Sequence, residues 1–136
     1  MCNNSLIYLA TPATSTVAIN GVLPFSTIVR RRGQTIQQSN NSIVLNASGY
    51  YKVSLTVTFT APVAGVATIQ LLQDGVVVQG ATASATITTA TTEVRSLSFD
   101  AIVRVRCCDT PSVLTVANTG VAITSSNIAI DVEYLD

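Results

Sequence analysis

Residues 51–60 read YKVSLTVTFT, and this stretch decides the fold class. Five apolar residues of this stretch alternate with five polar ones. The apolar residues are Tyr51, Val53, Leu55, Val57 and Phe59. Successive side chains of a β-strand point to opposite faces, so this period of two predicts a strand with one buried and one polar face. Gly49 before the stretch and Pro62 after it favour turns at both ends.

The same alternation occurs in two later stretches, residues 93–107 and 127–135. Together the three stretches predict three strands that each contribute one face to a common core. The predicted core comprises Tyr51, Val53, Leu55, Val57, Phe59, Leu97, Phe99, Val103, Val105, Ile128, Ile130 and Val132.

Turn residues punctuate the chain between these stretches. Residues 66–73 are predicted as a strand that turns at Asp74-Gly75 and returns over residues 76–80. Residues 81–92 are a low-complexity run of Ala, Thr and Ser, for which we expect a loop and an edge strand.

The first half of the chain is less regular. Short strands are predicted within residues 5–10, 15–19, 22–30 and 34–45. Eight to ten short strands separated by polar turns indicate an all-β fold, either a sandwich or a jelly roll. We expect residues 1–136 to form a single domain, with residues 1–20 as a partly mobile N-terminal arm.

The composition supports this prediction and excludes some functions. Val, Ile and Thr make up 48 of the 136 residues, which favours strands over helices. The formal net charge is zero, which argues against general nucleic-acid binding. Charged residues are only 10% of the chain, so we expect part of this surface to be buried in an oligomer.

The N-terminus and the hydropathy bear on localisation. Residues 1–4 show neither the basic nor the apolar region of a secretory signal, and no apolar run approaches membrane-spanning length. We therefore expect synthesis in the cytoplasm without a signal peptide and no membrane insertion, so that the protein reaches the outside by assembly into a particle or by lysis.

Two segments resemble a known family. The stretch from residue 43 to 53, IVLNASGYYKV, resembles the Gly-x-Tyr strand start of tumour-necrosis-factor-like and complement-globular-head-like jelly rolls. Residues 69–75, IQLLQDG, are similar to the family's next strand and its turn. The resemblance implies a ten-stranded jelly roll that assembles as a homotrimer, with the strand at 51–60 between those at 93–107 and 127–135.

A further resemblance is to small proteins encoded in prophages of Gram-positive bacteria. The residues that carry it are Arg106-Cys107-Cys108-Asp109 and, ten residues later, the stretch 116–120, VANTG. The family implies heads of spore-surface filaments, phage fibre heads or decoration proteins, and secreted ligands in animals. With the prophage resemblance we expect a location on a virion or particle surface. Many family members carry a collagen-like stalk, and the sequence has no Gly-x-y repeat of that kind.

The sequence offers no catalytic constellation, and we expect no enzyme activity and no cofactor. It contains no histidine, which removes Ser-His-Asp and Cys-His arrangements. Cys107 and Cys108 are adjacent on a predicted strand and point to opposite faces, so they do not readily chelate one metal. Asp74 and Asp109 lie in predicted turns and are calcium candidates, but no calcium-ligand pattern is recognisable.

Two groups of residues are candidates for binding. The homotrimer implied by the family would bury the polar face of the predicted sheet, with Arg and carboxylate side chains paired within or between chains. The expected interface residues are Ser54, Thr56, Thr58, Arg104, Arg106, Asp131 and Glu133. Arg30, Arg31 and Arg32, expected in a loop before Gly33, are a candidate contact for an anion or a neighbouring surface.

Two functions fit these expectations. The first is a non-enzymatic, trimeric head domain of a phage or prophage virion, in contact with other virion or surface proteins. The alternative is a surface or spore-associated binding module that recognises a host glycan or a protein.

Overall fold

Eleven strands and no helix make up the part of the chain that the computed structural model describes, residues 5–11, 14–106 and 111–135. The strands are β1 (Leu6–Thr11), β2 (Ser15–Val17), β3 (Thr27–Arg32), β4 (Ile36–Ser39), β5 (Ser42–Leu45), β6 (Gly49–Thr60), β7 (Gly65–Gln73), β8 (Val76–Ile87), β9 (Arg95–Val105), β10 (Ser112–Asn118) and β11 (Ile123–Tyr134). Among these residues there is no helix long and apolar enough to cross a membrane.

The strands form two antiparallel sheets that share one hydrophobic core. Sheet A has the order β3-β1-β11-β6-β9, with β2 paired to the first part of β11. Sheet B has the order β4-β5-β10-β7-β8. This is the predicted jelly-roll sandwich, and β6 lies between β9 and β11 as the family resemblance implies.

The core confirms the period-two prediction. All twelve predicted core residues are buried, and Phe99 is the most exposed of them at 8%. On β6, Tyr51, Val53, Val57 and Phe59 have no exposed surface at all. The polar residues between them are exposed or half-buried, because alternate side chains of one strand lie on opposite faces.

The Gly-x-Tyr stretch at the start of β6 has a packing explanation. Gly49 has a φ of 138°, and a Cβ there would lie 2.7 Å from the hydroxyl of Tyr134. That hydroxyl donates to the Ser48 carbonyl at 2.9 Å. The Tyr51 ring meets the Tyr134 ring edge to face at 5.0 Å and donates its own hydroxyl to the Ala47 carbonyl. Burial raises the pKa of Tyr51, so its phenol stays protonated and keeps this hydrogen bond.

The Asn-Thr-Gly stretch after β10 is also structural. The buried Asn118 amide donates to the carbonyls of Val17 and Val121, at 3.2 and 2.9 Å. Its oxygen accepts from the Gly120 backbone at 3.1 Å. A Cβ at Gly120 would lie 2.3 Å from the Val66 carbonyl, so the tight approach of this turn to β7 requires glycine.

The edge strand and the loop expected in residues 81–92 are both present, because β8 continues to Ile87 as the edge strand of sheet B and turn residues follow it. The strand expected to end at Gly80 is therefore longer than predicted. Small alanines, Ala81, Ala83 and Ala85, point towards the core, while Thr and Ser point outward. Alanine and threonine differ little in hydropathy, so the alternation is faint in the sequence although the strand is regular.

One expectation for the first half differs from the structure, because the arginines at 30–32 belong to strand β3 rather than to a loop. Within residues 1–20, expected as a partly mobile arm, β1 lies inside sheet A, between β3 and β11. Its Ile7 and Leu9 are fully buried, so this segment is part of the core.

Candidate functional site

The candidate site is the face of sheet A that points away from the core, hereafter the outer face. Six of the seven predicted interface residues project onto it from β6, β9 and β11: Ser54, Thr56, Thr58, Arg104, Asp131 and Glu133. The seventh, Arg106, follows the last residue of β9 and is exposed. The structure thus brings the predicted set to one side of the sandwich.

The strand register arranges the outer face in rows that run across the sheet. One row places Ser54 of β6 between Asp131 of β11 and Asp100 of β9. The next row places Lys52 between Glu133 and Ile102. Directly opposed residues share a face and lie within side-chain reach, so each row forms a unit of cross-strand contacts.

A further row, at Thr56, contains no charge. Thr56 lies between Ala129 and Ser98, and all three side chains are small. Small side chains in the middle of a sheet leave the backbone open to close approach by another surface. Thr56 is exposed at this central position.

Hydroxyl groups of the outer face already have polar partners on the neighbouring strand. The Ser54 hydroxyl donates to a carboxylate oxygen of Asp100 at 2.5 Å. The hydroxyls of Thr58 and Ser96 lie 3.3 Å apart. Each such pair lowers the cost of removing this face from water, because a hydroxyl that already has a partner depends less on water.

The carboxylates on the other side of β6 have a different environment. Burial raises the pKa of Asp131, the nearby Glu133 raises it further, and Lys52 opposes both effects. Asp131 therefore carries its negative charge at a cost in the single chain. A cation brought to this position by another molecule would remove that cost.

Arg104 does not pair with these carboxylates within the chain. Its guanidinium lies over the ring of Tyr50, 5.7 Å from the centroid, in cation–π geometry. In the described ranges the ion pair within 4 Å is Arg95–Glu93, at 2.6 Å. The predicted pairing within one chain is thus wrong for Arg104, and pairing between chains stays a prediction.

Apolar side chains are also exposed beside this polar centre. Ile102 has 63% of its surface exposed, Tyr50 45% and Tyr8 37%. Sequence reasoning placed Ile102 and Asp100 on the outer face but gave neither a role. Tyr8 was missed because only the pairing of β1 with β11 brings it beside Asp131.

A shallow groove opens where the edge strands β8 and β9 approach each other. Its cavity volume is about 270 Å³. Val76, Val77 and Ile102 contribute exposed apolar surface, and Arg104 and Arg106 lie at its rim. This groove adjoins the Tyr50 end of the outer face, because Arg104 belongs to both.

The arginines at 30–32 lie apart from this centre, on the edge strand β3. All three are exposed. Arg30 donates to the Val29 carbonyl at 2.9 Å and Arg31 to the Gly33 carbonyl at 3.4 Å. The structure therefore separates the predicted anion contact from the predicted interface centre.

The described residues offer no group of three metal-ligating side chains. Of the two calcium candidates, Asp74 uses its carboxylate to accept from Ser112 and from the Val113 backbone, at 2.7 and 2.8 Å. Asp109, Cys107 and Cys108 lie outside the described residues. The Asp74 carboxylate thus secures the turn between β7 and β8 against β10.

The comparisons with known proteins agree with this architecture. No protein-family model matches the chain, and no curated protein sequence matches it. Solved structures do match: murine APRIL has a TM-score of 0.74 at 12% identity, covering 96% of this chain and 99% of its own. The globular domain of zebrafish complement 1qA protein has a TM-score of 0.69 at 9% identity, covering 96% of each chain.

The vertex protein of PRD1 matches as well, with a TM-score of 0.65 at 16% identity and 97% of each chain covered. At such low identities the likeness shows the fold. The chain thus has the TNF-like jelly-roll fold that the Gly-x-Tyr segment implied.

Proposed function

We propose that this chain is a non-enzymatic head domain that assembles as a homotrimer through the outer face of sheet A. The observation that carries the proposal is the character of this face. It combines cross-strand hydroxyl pairs, a small-residue row at Thr56 and exposed apolar side chains with two clustered carboxylates. The family that the sequence resembles also implies a trimer.

Burial of this face against another copy would be favourable in two ways. Ile102, Tyr50 and Tyr8 would lose exposed apolar surface, which stabilises association by roughly 25 cal/mol per Å² buried. Ser54 and Thr58 would bring hydroxyls that already have partners, so their desolvation would cost little.

The charges of the outer face would be matched between copies. Arg104 and Arg106 lie at the β9 edge, while Asp131 and Glu133 lie on β11, on the far side of β6. In a cyclic assembly one surface of a subunit meets a different surface of its neighbour. The arginine edge of one copy would then meet the carboxylates of the next, including Asp131, whose pKa is raised in the single chain.

We further infer that the trimer is a component of a particle surface, as a fibre head or decoration protein of a phage or prophage virion. The likeness to the PRD1 vertex protein supports this location. The absence of histidine from the sequence disfavours the commonest catalytic arrangements and so supports a role without enzyme activity. Other virion or surface proteins, and a host glycan, are its proposed partners.

Substitution at the centre of the outer face tests the proposal. Thr56→Arg puts a long charged side chain between Ala129 and Ser98, and it should convert the trimer into monomers in light scattering. Thr86→Arg is the matched control, because Thr86 is exposed on β8 of sheet B. The proposal fails if both variants keep the mass of the parent, or if the control dissociates equally.

A further inference from the structure

Strand β3 concentrates positive charge on a free sheet edge. It carries Arg30, Arg31 and Arg32, three of the seven basic residues of a chain whose net charge is zero. β3 pairs with β1 on one side and ends sheet A on the other. All six residues of the strand are exposed.

The strand register sends these arginines to both sides of the edge. Arg30 lies opposite Tyr8 and Arg32 opposite Leu6, so both project on the outer-face side. Arg31 lies opposite the buried Ile7 and projects on the other side. Arg30 and Arg32 are two residues apart, which spaces their Cα atoms by about 7 Å.

The three guanidiniums are not neutralised by a neighbouring carboxylate among the described residues, where Arg95–Glu93 is the ion pair within 4 Å. The nearest carboxylates in the sheet are on β11, two strands away: Asp131 lies in the row of Arg30, and Glu133 in the row of Arg32. Tyr8 and Leu6 separate them, at a distance of about 10 Å between strands.

Protection of the edge against aggregation would be a simpler reason for such charges. The edge strands of sheet B argue against it as a general device in this fold. β4 and β8, which end sheet B, contain no charged residue, although β8 is twice as long as β3. A chain that leaves those edges uncharged does not need three arginines on β3 for this purpose.

We propose that β3 binds a linear phosphodiester polymer of the polyol-phosphate type, which runs along the sheet edge. Guanidinium groups bind phosphate in bidentate fashion, and the tetrahedral phosphate offers oxygens to donors on both sides of the chain. Arg30 and Arg32 would hold successive phosphates on one side, and Arg31 would close on the polymer from the other.

The surroundings favour this narrow polymer over a nucleic acid. Single-stranded nucleic acid is usually held by stacking of bases on several aromatic rings beside the cationic groove. Beside β3 the described strands offer one ring, Tyr8, rather than the several that stacking of successive bases would require. Asp131 and Glu133 would also repel a wide polyanion that spread across the outer face.

The test measures binding of a purified poly(glycerol phosphate) oligomer to the full chain by calorimetry at several salt concentrations. We expect saturable binding. The logarithm of its binding constant should fall linearly with the logarithm of the salt concentration, with a slope of about −2 for three phosphate contacts. Arg30→Gln, Arg31→Gln and Arg32→Gln should each reduce the slope by about 0.7, and the triple variant should bind at least tenfold more weakly.

Controls separate this proposal from general charge effects and from the trimer. Arg95→Gln removes a basic residue elsewhere and should leave binding unchanged. The proposal is overturned if this control weakens binding as much as the β3 variants, if polyglutamate binds equally well, or if single-stranded DNA of equal charge binds more tightly. Light scattering on the same samples reports the trimer, so failure of either proposal is seen independently of the other.

Discussion

Arg104 and Asp131 lie on the same face of sheet A but cannot meet within one chain. Arg104 is opposite Tyr50, and Asp131 is opposite Ser54, four residues further along β6 and on its other side. Standard strand dimensions put their Cα atoms about 17 Å apart. A partner for Asp131 from the β9 edge must therefore come from another copy.

This separation makes a mutant cycle informative. Arg104→Met and Glu133→Gln should each weaken the trimer, because each leaves a charge unpaired in the interface. The double variant should be less impaired than the sum of the two changes. Arg106→Met and Asp131→Asn form a second cycle. Light scattering on dilution reports trimer dissociation for the variants of both cycles. If the single changes have no effect, or if their effects simply add, these charges lie in solvent instead.

Asn118 should be essential for stability rather than for binding. Asn118→Ala would leave the Val17 and Val121 carbonyls without their amide donor, at a cost of at least about 2 kcal/mol in unfolding free energy. Asn46 is exposed, so Asn46→Ala should change the unfolding free energy by less than about 0.5 kcal/mol. Urea unfolding monitored by circular dichroism compares them, and equal effects would refute the structural role.

Leu55 tests the core of β6. It is 1% exposed, so Leu55→Ala should cost about 2–5 kcal/mol through lost burial and a residual cavity. Leu55→Met keeps the volume and should cost less than about 1.5 kcal/mol. The spectrum of the parent must also be that of a β-protein, since one dominated by helix would contradict the fold itself.

Glu93 should give the loop before β9 a dependence on acid. It accepts from Thr88 and from the Thr89 backbone and pairs with Arg95, and these contacts lower its pKa from 4.5 to about 2. Because the folded pKa is the lower one, this contribution is full above pH 4.5 and is lost as the pH falls towards 2. The melting temperature of the parent should exceed that of Glu93→Gln above pH 4.5 and approach it as the pH falls towards 2. A difference in melting temperature that stays constant over this range would contradict the assignment.

The sequence predicted the strands whose two faces differ most in polarity. On β6, β9 and β11 large apolar residues alternate with polar ones, and the buried face followed directly. β3 gave no such signal because all its side chains are exposed, and β8 gave little because its inward residues are mostly alanine. Strong alternation therefore marks strands with one buried and one solvated face, and the edge strands β3 and β8 escape it.

The site was predictable as a face but not as a set of pairs. Period two put Arg104, Asp131 and Glu133 on the side opposite the core, as the structure shows. Their mutual distances depend on how β9 and β11 register against β6, which turns and packing determine rather than local pattern. The cation–π contact of Arg104 with Tyr50 and the bond from Ser54 to Asp100 follow from that register alone.

The central claim is that three copies bury the outer face of sheet A between them. The mass of the purified protein in solution tests this claim most directly. One chain has a mass of 14.2 kDa. Light scattering at micromolar concentration should give three times that value for the parent. A mass of one chain under the same conditions would contradict the account, because Ile102, Tyr50 and the carboxylates of β11 would then face water.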